Sequence, residues 1–96
     1  MEEKFEDILK KLSIKNPIFK KVYILSKLRL EMYQYIPEHL IKDIKIKNYL
    51  IKEKKLIISC NNNFVMQEII FREKEILKKI DILFEPNVVK SISVVS

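Results

Sequence analysis

Residues 55–70, KLIISCNNNFVMQEII, change period at their midpoint, and that change decides the fold. Leu56, Ile57, Ile58 and Cys60 form a short apolar run, the pattern of a strand with apolar residues on both faces that suits the centre of a sheet. After Asn61, Asn62 and Asn63 the apolar residues recur at helical spacing, at Val65, Met66, Ile69 and Ile70. An asparagine at such a junction is a natural N-cap, because its side-chain oxygen accepts from the unpaired N–H groups of the first turn. Strand-to-helix junctions also hold phosphates. The usual cradles need glycine for close backbone approach, however, and this chain has none. The junction therefore reads as a cap.

Working outward, Ile44 and Ile46 alternate with Lys45 and Lys47, as in a half-buried strand. Without an Asn-Gly or Asp-Gly pair, the hairpin that joins the two strands needs a loop longer than two residues. Downstream, a helix is expected from Phe64 to about Phe84, then a turn at EPN and a last strand within residues 88–96. Upstream, Asn16 and Pro17 open a helix that runs to about Ile36 and is stopped by Pro37. A first helix is expected from Glu2 to Leu12, with Phe5, Ile8, Leu9 and Leu12 on one side. The order is α-α-β-β-α-β. This predicts an α+β domain, residues 1–96, with a three-stranded sheet packed on helices; 1–16 form an N-terminal helix and connector, 17–96 the core. Alternation alone leaves strand order and register open.

Composition removes several function classes. Zero glycine excludes nucleotide-hydrolase phosphate loops, the dinucleotide fingerprint and the GXXG clamp of KH domains. His39 is the single histidine and Cys60 the single cysteine, too few for a zinc cluster or a cysteine-histidine pair. His39, beyond Pro37, reads as an exposed loop residue, and Cys60 reads as a small core hydrophobe. No catalytic residue, cofactor or metal is expected. Apolar runs fall well short of the roughly 18–20 residues of a membrane span, and the acidic start MEEKFEDILKK is unlike a signal peptide. A cytoplasmic protein is expected.

The formal charge of +6 favours an acidic partner such as nucleic acid. Lysine outnumbers arginine 17 to 2, and isoleucine also occurs 17 times, a profile that A·T-rich codons produce without function. The distribution is more informative: from Lys10 to Arg29 there are seven bases and no acid. The candidate nucleic-acid contacts are Lys10, Lys11, Lys15, Lys20 and Lys21, with Lys45, Lys47 and Tyr49 on one strand face. Lysines beside an aromatic on an exposed strand could hold a single-stranded backbone weakly and stack a base. Exposed lysine equally protects strand edges from aggregation.

At about 100° per residue, Val65, Met66, Ile69, Ile70, Ile76, Leu77 and Ile80 fall within an arc of roughly 140°, the width of a core face. Phe64 and Phe71 lie on the far side, seven residues apart, as a candidate docking stripe. The helix from Pro17 is apolar nearly all round. Ile18, Val22, Leu25, Met32 and Ile36 make one stripe, Ile24, Leu28 and Tyr35 widen it on one side, and Phe19, Tyr23, Leu30 and Tyr33 extend it on the other. A domain of this size cannot bury such a helix on every side, so Phe19, Tyr23, Leu30 and Tyr33 are candidate contacts to another chain. The competing reading has the first helix cover them.

Residues 54–81, KKLIISCNNNFVMQEIIFREKEILKKID, resemble the core of the DciA family of bacterial proteins that assist the replicative helicase. Leu56, Ile58 and Cys60 stand for its L-x-V-x-V strand, Gln67, Glu68 and Ile69 for its Q-E-L, and Glu75, Ile76, Leu77, Ile80 and Asp81 for its E-I-L-x-x-L-N. The stretch VVKSISV is similar to the closing strand, and MYQYIPEHLIKDIKI to the W-x-x-x-V-G-x-x-L-A stretch. The tryptophans usual near Met32 and Phe64 or Val65, and the glycine near Pro37, are replaced. The resemblance implies a KH-like domain that binds the DnaB-type helicase and promotes its loading onto single-stranded DNA, without hydrolysing ATP. A KH-like RNA-binding or ribosome-assembly factor and a homodimeric interaction module are the alternatives.

Overall fold

The computed structural model describes residues 17–96. The expected first helix, Glu2 to Leu12, and Lys10, Lys11 and Lys15 lie outside the described residues. The elements run α1 (Pro17–Leu30), α2 (Met32–Tyr35), α3 (Glu38–Ile41), β1 (Ile44–Leu50), β2 (Lys55–Cys60), α4 (Asn63–Phe71), α5 (Glu73–Leu83) and β3 (Ser91–Val95). The fold is α+β with a three-stranded sheet in the order β1-β2-β3, so the apolar run 56–60 is central as expected. β1 pairs antiparallel with β2, and β2 pairs parallel with β3. Parallel neighbours need a crossover, and α4 with α5 supplies it.

The strand-to-helix junction is built as its residues require. Asn62 is extended at φ −139°, and its side-chain oxygen accepts from the Phe64 N–H at 2.8 Å and the Val65 N–H at 3.4 Å. Two first-turn donors are thereby satisfied, which leaves the junction a cap. The hairpin loop is four residues long, 51–54, and its last residue, Lys54, takes the left-handed conformation at φ 54° that a glycine would fill more cheaply. Its carbonyl accepts from the Lys90 N–H at 2.7 Å, which ties the start of β3 to the hairpin.

Both expected long helices are broken once. The segment 17–36 breaks at Glu31, with φ −101° and ψ 15°, and the segment 64–84 breaks at Arg72, with φ −94° and ψ 10°. An unbroken helix over 17–36 would be about 30 Å long, whereas the seven-residue β1 beneath it spans roughly 23 Å. Bending at Glu31 lets α1 lie along β1 and returns α2 to pack on α5. The Tyr35 ring is then buried, and its hydroxyl donates to the Leu28 carbonyl at 2.6 Å, one of the terminal acceptors of α1. At Arg72 the bend lets α4 pack on β2 and β3 while α5 reaches both β3 and α2. His39, expected as an exposed loop residue, is exposed but lies on the short α3.

On the sheet's inner face Leu56, Ile58 and Cys60 stand opposite Tyr49, Ile46 and Ile44, and Leu56 and Ile58 also stand beside Ile92 and Val94. Ile24, Leu28, Ile69, Ile76 and Ile80 close the same core from the helices. Around the wheel of α4 and α5, burial falls off smoothly. Val65, Ile69, Ile76 and Ile80, within about 60° of one another, are buried; Met66 and Leu77 are half-buried; and Ile70, at the margin of the expected arc, is 59% exposed. Ile70 is therefore a surface residue. Burial, and secondarily the charge of Asp43, pushes the Cys60 thiol up, which keeps it protonated as a packing side chain.

Each edge of the sheet is closed by a charged side chain from a helix. On β1 the Arg29 Nε and Nη2 both donate to the Ile46 carbonyl at 3.2 Å. On β3 the Glu73 carboxylate accepts from the Ile92 N–H at 2.8 Å. Such contacts occupy backbone groups that would otherwise invite another strand.

Candidate interaction surfaces

The alternation in β1 is interrupted. Ile46 pairs with Ile58, but the next pair is Asn48 with Ile57, so Lys47 is an extra residue on that strand. Because side chains alternate faces, one inserted residue reverses the phase of everything after it. Tyr49 consequently turns inward, is 1% exposed, and donates its hydroxyl to the Val88 carbonyl. The expected pairing of Tyr49 with Lys45 and Lys47 on one exposed face is corrected by this bulge: Tyr49 is a core residue and cannot stack a base. Burial pushes its phenol above the ordinary range. Lys45 and Lys47 themselves are exposed.

On α1, Lys20 is exposed and Lys21 half-exposed, and the helix sequence contains Lys20, Lys21, Lys27 and Arg29 with no acid. Lys27 sits over the rings of Tyr23 and Phe84, 5.9 and 5.3 Å from their centroids. Tyr23 and Phe84 meet edge to face at 6.2 Å. Tyr23 is thus half-buried in a small aromatic-cation cluster, while the other candidates of this helix face outward.

The remaining candidate contacts fall into two exposed groups. The first is the corner at Glu31, where Leu30 is 71% and Tyr33 67% exposed, with Phe19 further back along α1. The second is the outer side of α4, where Phe64 and Phe71 are 84% and 87% exposed. Their seven-residue spacing puts them about 10 Å apart along one helix. Phe64 also lines a shallow groove with His39, Leu40 and Lys42. Large apolar side chains exposed in groups mark interaction sites.

One feature of the surface was not readable from spacing. Arg29, which counted in the sequence only as one base in a run, lines a groove of about 380 Å³ with Met32, Ile44, Lys45 and Ile46, between the corner and the edge of β1. A base two residues before a helix break is a weak signal, and contact with β1 is a tertiary event. Among the described residues no group of His, Cys, Asp and Glu could hold a metal ion, and no helix is long and apolar enough to cross a membrane.

No curated protein and no solved structure matches the chain. The family model described as Dna[CI] antecedent, DciA, matches residues 4–94 of the 96. Because that match spans nearly the whole chain, the chain belongs to the DciA family, a DNA-replication family associated with loading of the DnaB helicase.

Proposed function

We propose that this protein is a non-enzymatic adaptor of DNA replication that docks on the DnaB-type replicative helicase and assists its loading onto single-stranded DNA. The corner at Glu31 is the main docking surface, with Leu30 and Tyr33 as its anchors; Phe64 and Phe71 on α4 form a second. The lysines of α1 and β1 make a weak auxiliary contact to the DNA strand. The observation that carries this reading is the outward placement of Leu30, at the end of α1, and Tyr33, on α2, on either side of the Glu31 break, while Ile24 and Leu28 of α1 and Tyr35 of α2 are buried in the core. A cluster of exposed apolar and aromatic side chains on a rigid element has the composition of an interface anchor.

The test is binding of the purified protein to a DnaB-type helicase. The double variant Leu30→Ser, Tyr33→Ser is expected to keep its circular dichroism and thermal midpoint and to bind at least about tenfold more weakly, the loss of a modest anchor. Helicase binding unchanged by the variant removes the corner from the interface, and absence of binding by the natural protein removes the function. A dimer in sedimentation that the same variant dissolves would assign the corner to self-association.

A further inference from the structure

We infer that the groove between the Glu31 corner and the β1 edge is a seat for one nucleotide of single-stranded DNA, with Arg29 as the phosphate anchor. The inference rests on the auxiliary DNA contact proposed above and gives it a place. Among the described residues the groove is lined by Arg29, Met32, Ile44, Lys45 and Ile46: two cations, the Met32 side chain, the edge of β1 where the Ile44 and Ile46 side chains are turned into the core, and no carboxylate. Its volume, about 380 Å³, lies at the small end of the roughly 300–1,000 Å³ of ligand sites, room for a single nucleotide.

Arg29 is held for the task. Its Nε and Nη2 are both committed to the Ile46 carbonyl, which fixes the guanidinium plane at the strand edge. Nη1 keeps its donors for an incoming anion, and a pre-oriented guanidinium loses little entropy when it binds phosphate. The same contact disfavours a peptide added to β1, which would compete with Arg29 for the Ile46 carbonyl. An anionic chain needs only the free side of the guanidinium and the exposed Lys45. Of the lining side chains only Met32, half-buried, offers a base an apolar surface, because those of Ile44 and Ile46 lie in the core.

The experiment is fluorescence anisotropy with labelled oligothymidine at 50 and 200 mM salt. Lys45→Glu and Arg29→Gln are each expected to weaken binding about tenfold at the lower salt and to reduce the slope of log affinity against log salt by about one to two. Lys90→Glu, an exposed control with the same charge change as Lys45→Glu, is expected to stay within about threefold. Equal losses in Lys45→Glu and Lys90→Glu would show attraction by net charge alone and overturn the groove while leaving DNA contact in place. No binding by the natural protein would overturn both the groove and the auxiliary contact, and helicase binding is scored separately. A duplex of the same length binding as tightly as the single strand, or polyglutamate displacing the label as well as unlabelled oligothymidine does, would likewise overturn the seat. Arg29→Lys, which keeps the charge and loses the paired contact to Ile46, is expected to lie between Arg29→Gln and the natural protein.

Discussion

The two helix breaks look alike along the chain and are held in opposite ways. At Glu31 the bend is locked from inside by Tyr35, which is buried and hydrogen-bonded to Leu28, with the exposed Arg29 fastened to the β1 edge beside it. At Arg72 it is held from outside, by the Arg72 pairs with Glu68 at 2.8 Å and Glu75 at 3.4 Å. The carboxylates hold the Arg72 guanidinium above its ordinary range, the Glu68 hydrogen bond most strongly. Buried, desolvated contacts carry far more free energy than exposed ion pairs, whose charges water and salt screen. The rigid break is thus the one beside Leu30 and Tyr33, and a docking surface benefits from a rigid base because less order must be imposed on binding.

The largest expected effect is on the inner lock. Tyr35→Ala should destabilise the fold by about 3–5 kcal/mol, the cost of emptying a large aromatic site, whereas Tyr35→Phe should cost about 1 kcal/mol for the hydroxyl bond alone. Chemical denaturation of both variants separates packing from hydrogen bonding at this corner.

A smaller effect is expected from pH. Burial pushes the Tyr35 and Tyr49 phenols up from the ordinary 10.0, so above that pH the unfolded chain releases protons that the folded chain retains. The stability contributed is complete below pH 10.0 and is lost as pH rises toward the folded-state values. Thermal midpoints should therefore fall above pH 10.0. The combined Tyr35→Phe, Tyr49→Phe variant should start lower and fall less steeply.

The smallest effect is expected at the outer break. Arg72→Ala should leave the denaturation midpoint almost unmoved, and any difference should shrink further in 1 M salt. A large loss would mean that the two breaks are not opposites.

Much of this architecture was readable along the chain because its signals are local. An asparagine within 61–63 was recognisable as a cap from its place between a strand and a helical period, and residues 56–60 as suited to the centre of the sheet from apolar residues on both faces. Phe64 and Phe71 fell outside the core arc and are the two most exposed large apolar residues among those described. Tyr49 was misread because a bulge leaves no mark in an alternating pattern: Lys47 looks like any other outward residue until β2 is laid beside it. The breaks at Glu31 and Arg72 were hidden for a related reason, since neither carries proline or glycine and each bend answers to what lies underneath. Arg29 could be counted as a charge, but its partner is the backbone of a strand 17 residues away.

The chain alone determined the fold class, the capped junction and the excess of apolar surface on the helix from Pro17, all consequences of neighbours within a few residues. Tertiary structure decided which way β1 turns after Lys47, where the helices bend, and that Arg29 is tied to the sheet edge. Those outcomes depend on strand register and on the fit of a helix to a sheet of finite length, quantities that exist only once distant segments meet.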